Sequence, residues 1–251
     1  MLFLMKPQII SIALIGHGAM GKELERLAPY YQCSVEQIFT SKRPLAKART
    51  ADFNFDVAID FSKPDALADN VRMCAERRKN IVIGTTGWGK KAQEIEETVK
   101  DMRIGAVYGA NFSVGVLMFL RIMEVAAELA NKYDEYDVAL HELHHRRKLD
   151  APSGTALAIA SVVNNHLTRK TSILEETSHG KIAPDALHVS STRCGEIPGT
   201  HTVYIDSAAD TLELTHRARN RSGFAIGALR AAQWVHGKQG FTDVRDVFTE
   251  F

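Results

Sequence analysis

The chain has 251 residues, 45% of them apolar and 24% charged, enough for two modest domains or one large one, with a core that needs no covalent staple. A formal net charge of +1 argues against a nucleic-acid surface built on bulk charge, so any cationic site must be local. Cys33, Cys74 and Cys194 stand far apart and outside any C-x-x-C pattern, which indicates neither a disulfide framework nor a zinc knuckle.

Residues 1–5 are apolar but do not read as a secretory signal. No basic residues precede them, Lys6, Pro7 and Gln8 interrupt the run, and residues 9–15 lead into a glycine turn rather than a cleavage site. No run approaches the roughly 18 apolar residues that cross a bilayer. A cytoplasmic protein with no membrane partner is expected.

Residues 9–15 form the first predicted strand, 20–27 a helix stopped near Pro29, and 34–39 a second strand. A strand at 57–60, a helix from about Pro64, a strand at 81–83, a helix from about Lys90 and a strand at 104–107 follow. Short strands separated by helical patterns are βαβ units, and these build a parallel, doubly wound α/β sheet. Ligands of such sheets bind at the carboxyl ends of the strands, where Asp60 to Ser62, Gly84 to Gly87 and Gly109 to Phe112 fall.

Beyond about Asn111 the pattern changes to a long helix at 114–131, a strand at 136–142 and a helix opening at Ser153. Alternating runs at 187–192, 201–205 and 211–215 have no helices between them, which implies an α+β unit with a mixed or antiparallel sheet. The polar stretch 168–179 is expected to be a loop. Residues 224–235 form a helix with small residues on one face, expected to return to the first domain. The predicted division is therefore 1–111 with 220–251 as one domain and 112–219 as the other.

Gly16-x-Gly18-x-x-Gly21 follows an apolar strand and opens a helix, the setting a dinucleotide fingerprint requires. The glycines permit a tight turn and close approach to a pyrophosphate, whose charge is met by N–H groups at the helix start. The fingerprint usually has an acid about 20 residues later that accepts the ribose 2′-hydroxyl. Here Ser41, Lys42 and Arg43 stand instead, hydroxyl and cations that suit a 2′-phosphate. NADPH is thus the expected cofactor, with NADH possible.

His141, Glu142 and His145 also spell H-E-x-x-H, a zinc-hydrolase signature that works only on a helix, where the histidines lie one turn apart. Residues 137–143 alternate like a strand, and the glycine and third histidine of the extended signature are replaced by Lys148 and Ala151. The match reads as coincidence and no metal is expected. At Asp150 to Ala156, Pro152 and Ser153 are helix-start residues, which would leave the N–H groups of Gly154 and Thr155 at the positive end of a helix, ready for a carboxylate. Lys148 adds a cation that can bind that carboxylate or deliver a proton.

Together these residues resemble the 4-hydroxy-tetrahydrodipicolinate reductase (dihydrodipicolinate reductase) family over nearly the whole chain. The most specific part is the run from Glu142 to Thr155, with His144, His145, Lys148, Asp150, Ala151, Pro152, Ser153 and Gly154 in the family's order. The resemblance implies a Rossmann-like domain and a substrate-binding and oligomerisation domain. It implies that His144 donates or accepts a proton and Lys148 donates one, while His145, Gly154 and Thr155 bind a dicarboxylate substrate. It also implies that Gly16, His17, Gly18, Ala19, Met20, Gly84, Thr85, Thr86, Gly109, Ala110, Asn111 and Phe112 line the cofactor, and that the protein is a homotetramer. The family reaction is NAD(P)H-dependent reduction of a cyclic imine in lysine and diaminopimelate biosynthesis. A cofactor-binding sensor without turnover is the alternative, and the intact proton-donor residues argue against it.

Overall fold

The computed structural model describes residues 9–176 and 178–251. The apolar residues 1–5 that bear on the signal-peptide question lie outside them. The chain divides into two compact units, Met1–Val114 with Arg221–Phe251, and Gly115–Asn220.

The first unit contains strands β1 (Ile10–Ile15), β2 (Cys33–Phe39), β3 (Val57–Asp60), β4 (Asn80–Ile83) and β5 (Gly105–Tyr108). Between them run α1 (Ala19–Leu27), α2 (Pro64–Glu76) and α3 (Ala92–Asp101). β3 and β4 are buried at every position and β1 at all but one, as strands covered by helices on both faces must be. α2 begins at a proline, whose missing N–H costs nothing in the first turn. All strand pairings are parallel, in the order β2-β1-β3-β4-β5, so the chain leaves β1 to one side and then crosses to the other.

The second unit contains β6 (Asp137–His144), β7 (Ser172–Leu174), β8 (Ala186–Arg193), β9 (Thr200–Asp206) and β10 (Thr211–Arg217). Helix α4 (Val114–Ala130) leads into it and α5 (Gly154–His166) follows β6. β6 alternates between exposed or half-buried and buried residues, the period of a strand with one face on a core. The sheet order is β10-β9-β6-β8-β7: β6 pairs antiparallel with β9 and parallel with β8, so the sheet is mixed. Its core joins Phe119, Leu120 and Met123 of α4, Ile159 and Val163 of α5, and Leu140, Val189 and Val203 of the sheet.

Two strands depart from the sequence expectation. β7 interrupts the 168–179 segment expected to be a loop. After α6 (Ser222–Val235), which packs on α1 and on β3 to β5, the chain adds β11 (Gly240–Asp243) parallel to β5 at the sheet edge. Both strands are short and carry no buried residue, so neither shows a hydrophobic period. The chain ends with the single helical turn α7 (Val244–Val247) and a 3₁₀ turn at Phe248–Glu250.

Candidate functional site

The strand order of the first unit reverses between β1 and β3, the switch point where doubly wound sheets take ligands. A cleft of about 560 Å³ opens there, and its walls include Gly16, His17, Gly18, Ser41, Lys42 and Phe61. Gly16 has φ +97°, and a Cβ on it would stand 2.4 Å from the Phe61 carbonyl oxygen. A Cβ on Gly21 would stand 2.2 Å from the Gly16 carbonyl oxygen, so glycine is demanded by the turn itself. Gly18 has open space where its Cβ would be, and the first turn of α1 behind it has neither a side-chain cap nor an acid. This is a cradle into which a pyrophosphate fits.

At the end of β2, Ser41 and Lys42 line the cleft, whereas the Arg43 guanidinium lies over the Phe39 ring at 5.1 Å and bonds Gln37 at 2.9 Å and Asp52 at 3.2 Å. Lys63, a cation that sequence reasoning passed over, lines the cleft from the β3 side.

The Asp60 carboxylate at the end of β3 ties two strand ends together. It accepts bonds from the Ser62 N–H at 2.9 Å, the Ser62 hydroxyl at 2.7 Å, the Thr85 hydroxyl at 2.7 Å and Asn70 at 2.9 Å. Burial pushes its pKa up, and those bonds oppose the rise. Thr85 is therefore a buried strut, while Thr86 is exposed. A Cβ on Gly84 would strike the Phe61 ring at 2.2 Å. At the end of β5 the Gly109 N–H bonds the Ile83 carbonyl, Ala110 is exposed, Asn111 accepts from the Ser113 N–H, and Phe112 is buried 6.3 Å from Phe61. These β4 and β5 residues are not among those lining the cleft.

In the second unit the register of β6 assembles a polar cluster. Glu142 lies opposite His201 of β9, and His144 lies opposite Arg193 of β8. Glu142 and His144, two residues apart on a strand, share a face. Glu142 is fully buried: one carboxylate oxygen accepts from Arg193 at 2.8 Å and from the Ser153 N–H at 3.2 Å. The other oxygen lies 2.5 Å from His144 Nδ1. The two atoms approach closely without the alignment of a straight hydrogen bond. Burial pushes the Glu142 pKa up, but the bonds from Arg193, Ser191 and Ser153 outweigh it and hold the group below the usual carboxylate range.

Burial lowers the His144 pKa, against the pull of Glu142 and with help from the charges of Lys148 and Arg193. His201, 3.2 Å from the Ser153 hydroxyl, is pushed down to about 4, mainly by burial. The backbone of His144 and His145 is pinned by the Cys194 N–H and the Ile197 carbonyl. Lys148 reaches both Asp150 oxygens at 2.7 and 2.9 Å, and Arg147 pairs with Glu196. Ser153 caps α5 by accepting from the Ala156 N–H, and Gly154 is exposed at the helix start with open space beside it.

His141 to His144 of the H-E-x-x-H segment lie on strand β6 and His145 follows it, so His141 and His145 are not one helical turn apart, and His141 bonds Ser190 instead. Donor atoms of Glu142, His144 and His201 do lie within 4.8 Å of one another. However, two ligands of one tetrahedral ion at ~2.0–2.1 Å stand roughly 3.3 Å apart. The 2.5 Å separation of the Glu142 oxygen and His144 Nδ1 is shorter than two ligands of one such ion would keep.

In this unit sequence reasoning assigned roles only within the contiguous run 142–155 and gave none to Arg193, Gly199 or His201, which arrive from β8, the β8–β9 connection and β9. A Cβ on Gly199, which has φ +152°, would stand 2.9 Å from His144 Nε2.

Comparison with known proteins identifies the family. The family model for the N-terminus of dihydrodipicolinate reductase matches residues 10–112, and that for its C-terminus matches residues 115–248. The chain is 33% identical over 241 residues to 4-hydroxy-tetrahydrodipicolinate reductase of Christiangramia forsetii, covering 96% of this chain and 98% of that protein. It is 42% identical over 199 residues to the protein of that name from Pseudomonas fluorescens, covering 77% and 73%. Its fold is similar to that of a dipicolinate-bound dihydrodipicolinate reductase from Paenisporosarcina sp. TG-14, with a TM-score of 0.77, 20% identity, and coverage of 96% and 100%. With a glycine cradle at the switch point of one sheet and a buried histidine–carboxylate cluster on the other, the chain is a member of the dihydrodipicolinate reductase family.

Proposed function

We propose that the protein reduces 4-hydroxy-tetrahydrodipicolinate to tetrahydrodipicolinate with NAD(P)H, in diaminopimelate and lysine biosynthesis. The observation that carries this reading is the 142–155 segment: His144 is held against Glu142, and Lys148 meets Asp150 at the start of α5. The reduced nicotinamide supplies the hydride. The chain's own residues bind, orient and protonate the acceptor. His144 and Lys148 move the proton; the backbone N–H groups of Gly154 and Thr155, with His145, bind a substrate carboxylate. The chain's own Asp150 supports this, because its carboxylate takes both Lys148 and the Gly154 backbone. NADPH oxidation that depends on the substrate tests the proposal.

NADPH is the preferred cofactor in this reading and NADH a poorer one. Ser41, Lys42 and Lys63 border a cleft with no acid at the end of β2. Arg43 contributes mainly by holding the loop, through Gln37 and Asp52.

We also infer a cytoplasmic homotetramer. Met118, Ile122, Val125 and Leu129 recur along one face of α4 and are each about half exposed, as is Leu212 of β10. Ile122, Val125, Leu129 and Leu212 border an apolar hollow of about 690 Å³ with Tyr133 and Leu214. An exposed apolar face of this extent supports self-association. Among the described residues no helix is long and apolar enough to cross a membrane.

A further inference from the structure

We propose that Glu142 is the positioning residue of the site: it holds the His144 ring by its Nδ1 edge and keeps a hydrogen there, so that Nε2 is the nitrogen that exchanges a proton in the reaction. The role of His144 rests on the function proposed above; the geometry of the pair does not.

Two unprotonated acceptor atoms repel each other at 2.5 Å, so one of the pair must carry the hydrogen. Glu142 is not that partner. Its other oxygen already receives Arg193 and the Ser153 N–H, which favour the ionised carboxylate. The hydrogen therefore sits on His144 Nδ1. His201 does not compete, because its Nε2 is 3.9 Å from the same oxygen and bonds the Ser153 hydroxyl.

The carboxylate cannot turn away either. Arg193 comes from β8 and Ser153 from the start of α5, so Glu142 is fixed from two elements while it fixes the ring. The Gly199 backbone closes the opposite side, facing Nε2 with no side chain. A buried carboxylate is weak evidence for stability, since desolvation offsets much of its pairing. Orientation of a proton-transferring imidazole is a role that a carboxylate at this position fulfils.

The test combines side-chain ¹⁵N NMR of His144, identified by its loss in His144→Gln, with kcat and the Kd of dipicolinate. At about pH 8 a histidine with a lowered pKa is neutral, and wild type should show the Nδ1–H tautomer. Glu142→Gln should shift His144 toward Nε2–H and lower kcat at least about tenfold, with dipicolinate Kd changed less than about threefold. In a His144→Gln background the same change should alter kcat less than about twofold, because Glu142 acts through the ring. An Nε2–H tautomer in wild type overturns the proposal. So does a Glu142→Gln effect of equal size with and without His144, or a folded Glu142→Gln with wild-type tautomer and kcat. If Glu142→Gln does not fold, the wild-type tautomer still decides, and Glu142→Asp should retain Nδ1–H. Wild type without turnover would remove the enzymatic reading, while the tautomer would still decide the role of Glu142.

Discussion

The backbone of Gly199 is the wall behind the His144 ring: a Cβ there would stand 2.9 Å from Nε2 and 3.3 Å from the neighbouring ring carbon. Real Cβ atoms do not come that close, and φ +152° already disfavours a side chain. Gly199→Ala should displace the ring and lower kcat at least about tenfold, since a misplacement of ~1 Å can cost on the order of 100-fold. Steady-state kinetics on protein with an unchanged circular dichroism spectrum checks this. Wild-type kcat would mean the ring position is immaterial.

Removing the proton-transferring groups themselves should act on kcat. His144→Gln and Lys148→Ala are each expected to lower it about 10²–10⁴-fold, the usual contribution of general acid catalysis. Cofactor Kd should hardly move, because the glycine cradle belongs to the first unit. Stopped-flow or steady-state rates together with fluorescence titration of NADPH separate the two effects.

The buried histidines make stability depend on pH. His201 has a folded pKa of about 4 against an ordinary 6.5, so between those values the unfolded chain binds more protons. Stability contributed by its neutral burial is then complete above about pH 6.5 and is lost as pH falls toward 4, on the order of 3 kcal/mol in all. His144 and His216 are shifted in the same direction, so their contributions add to the slope. Urea midpoints between pH 4 and 7 should fall with pH in wild type and fall less steeply in His201→Gln. Equal slopes would show that His201 does not titrate on unfolding.

Cofactor choice should follow Lys42. A charge-assisted bond contributes about 1.5–3 kcal/mol, or roughly 10- to 150-fold, so kcat/KM with NADPH should exceed that with NADH at least about tenfold. Ser41→Glu with Lys42→Ala should shrink or invert this ratio, and Lys63→Ala should reduce it. Arg43→Ala should affect it less, because that guanidinium is turned to Asp52 and Gln37. Kinetics with both cofactors at two salt concentrations checks the ranking, since surface attraction weakens with salt.

Much of the fold was legible because its signals are local. The apolar run of β1, the proline that opens α2 and the Ser153 cap of α5 each announce themselves within a few residues. β7 and β11 escaped because three or four residues without a buried position have no period to read. The same distinction governs the site. His144, Lys148 and Gly154 lie in one run, whereas Glu142 meets Arg193 from 51 residues away and only the sheet register reveals it. Lys63 in the cleft and the Asp60–Thr85 bond were hidden similarly, since their neighbours come from separate βα units.

The most direct measurement of the central claim is the rate of NADPH oxidation by purified, folded protein supplied with enzymatically generated 4-hydroxy-tetrahydrodipicolinate. Loss of absorbance at the nicotinamide band should require the substrate and persist in the presence of a metal chelator. A folded protein that turns over neither NADPH nor NADH with this substrate would contradict the assignment.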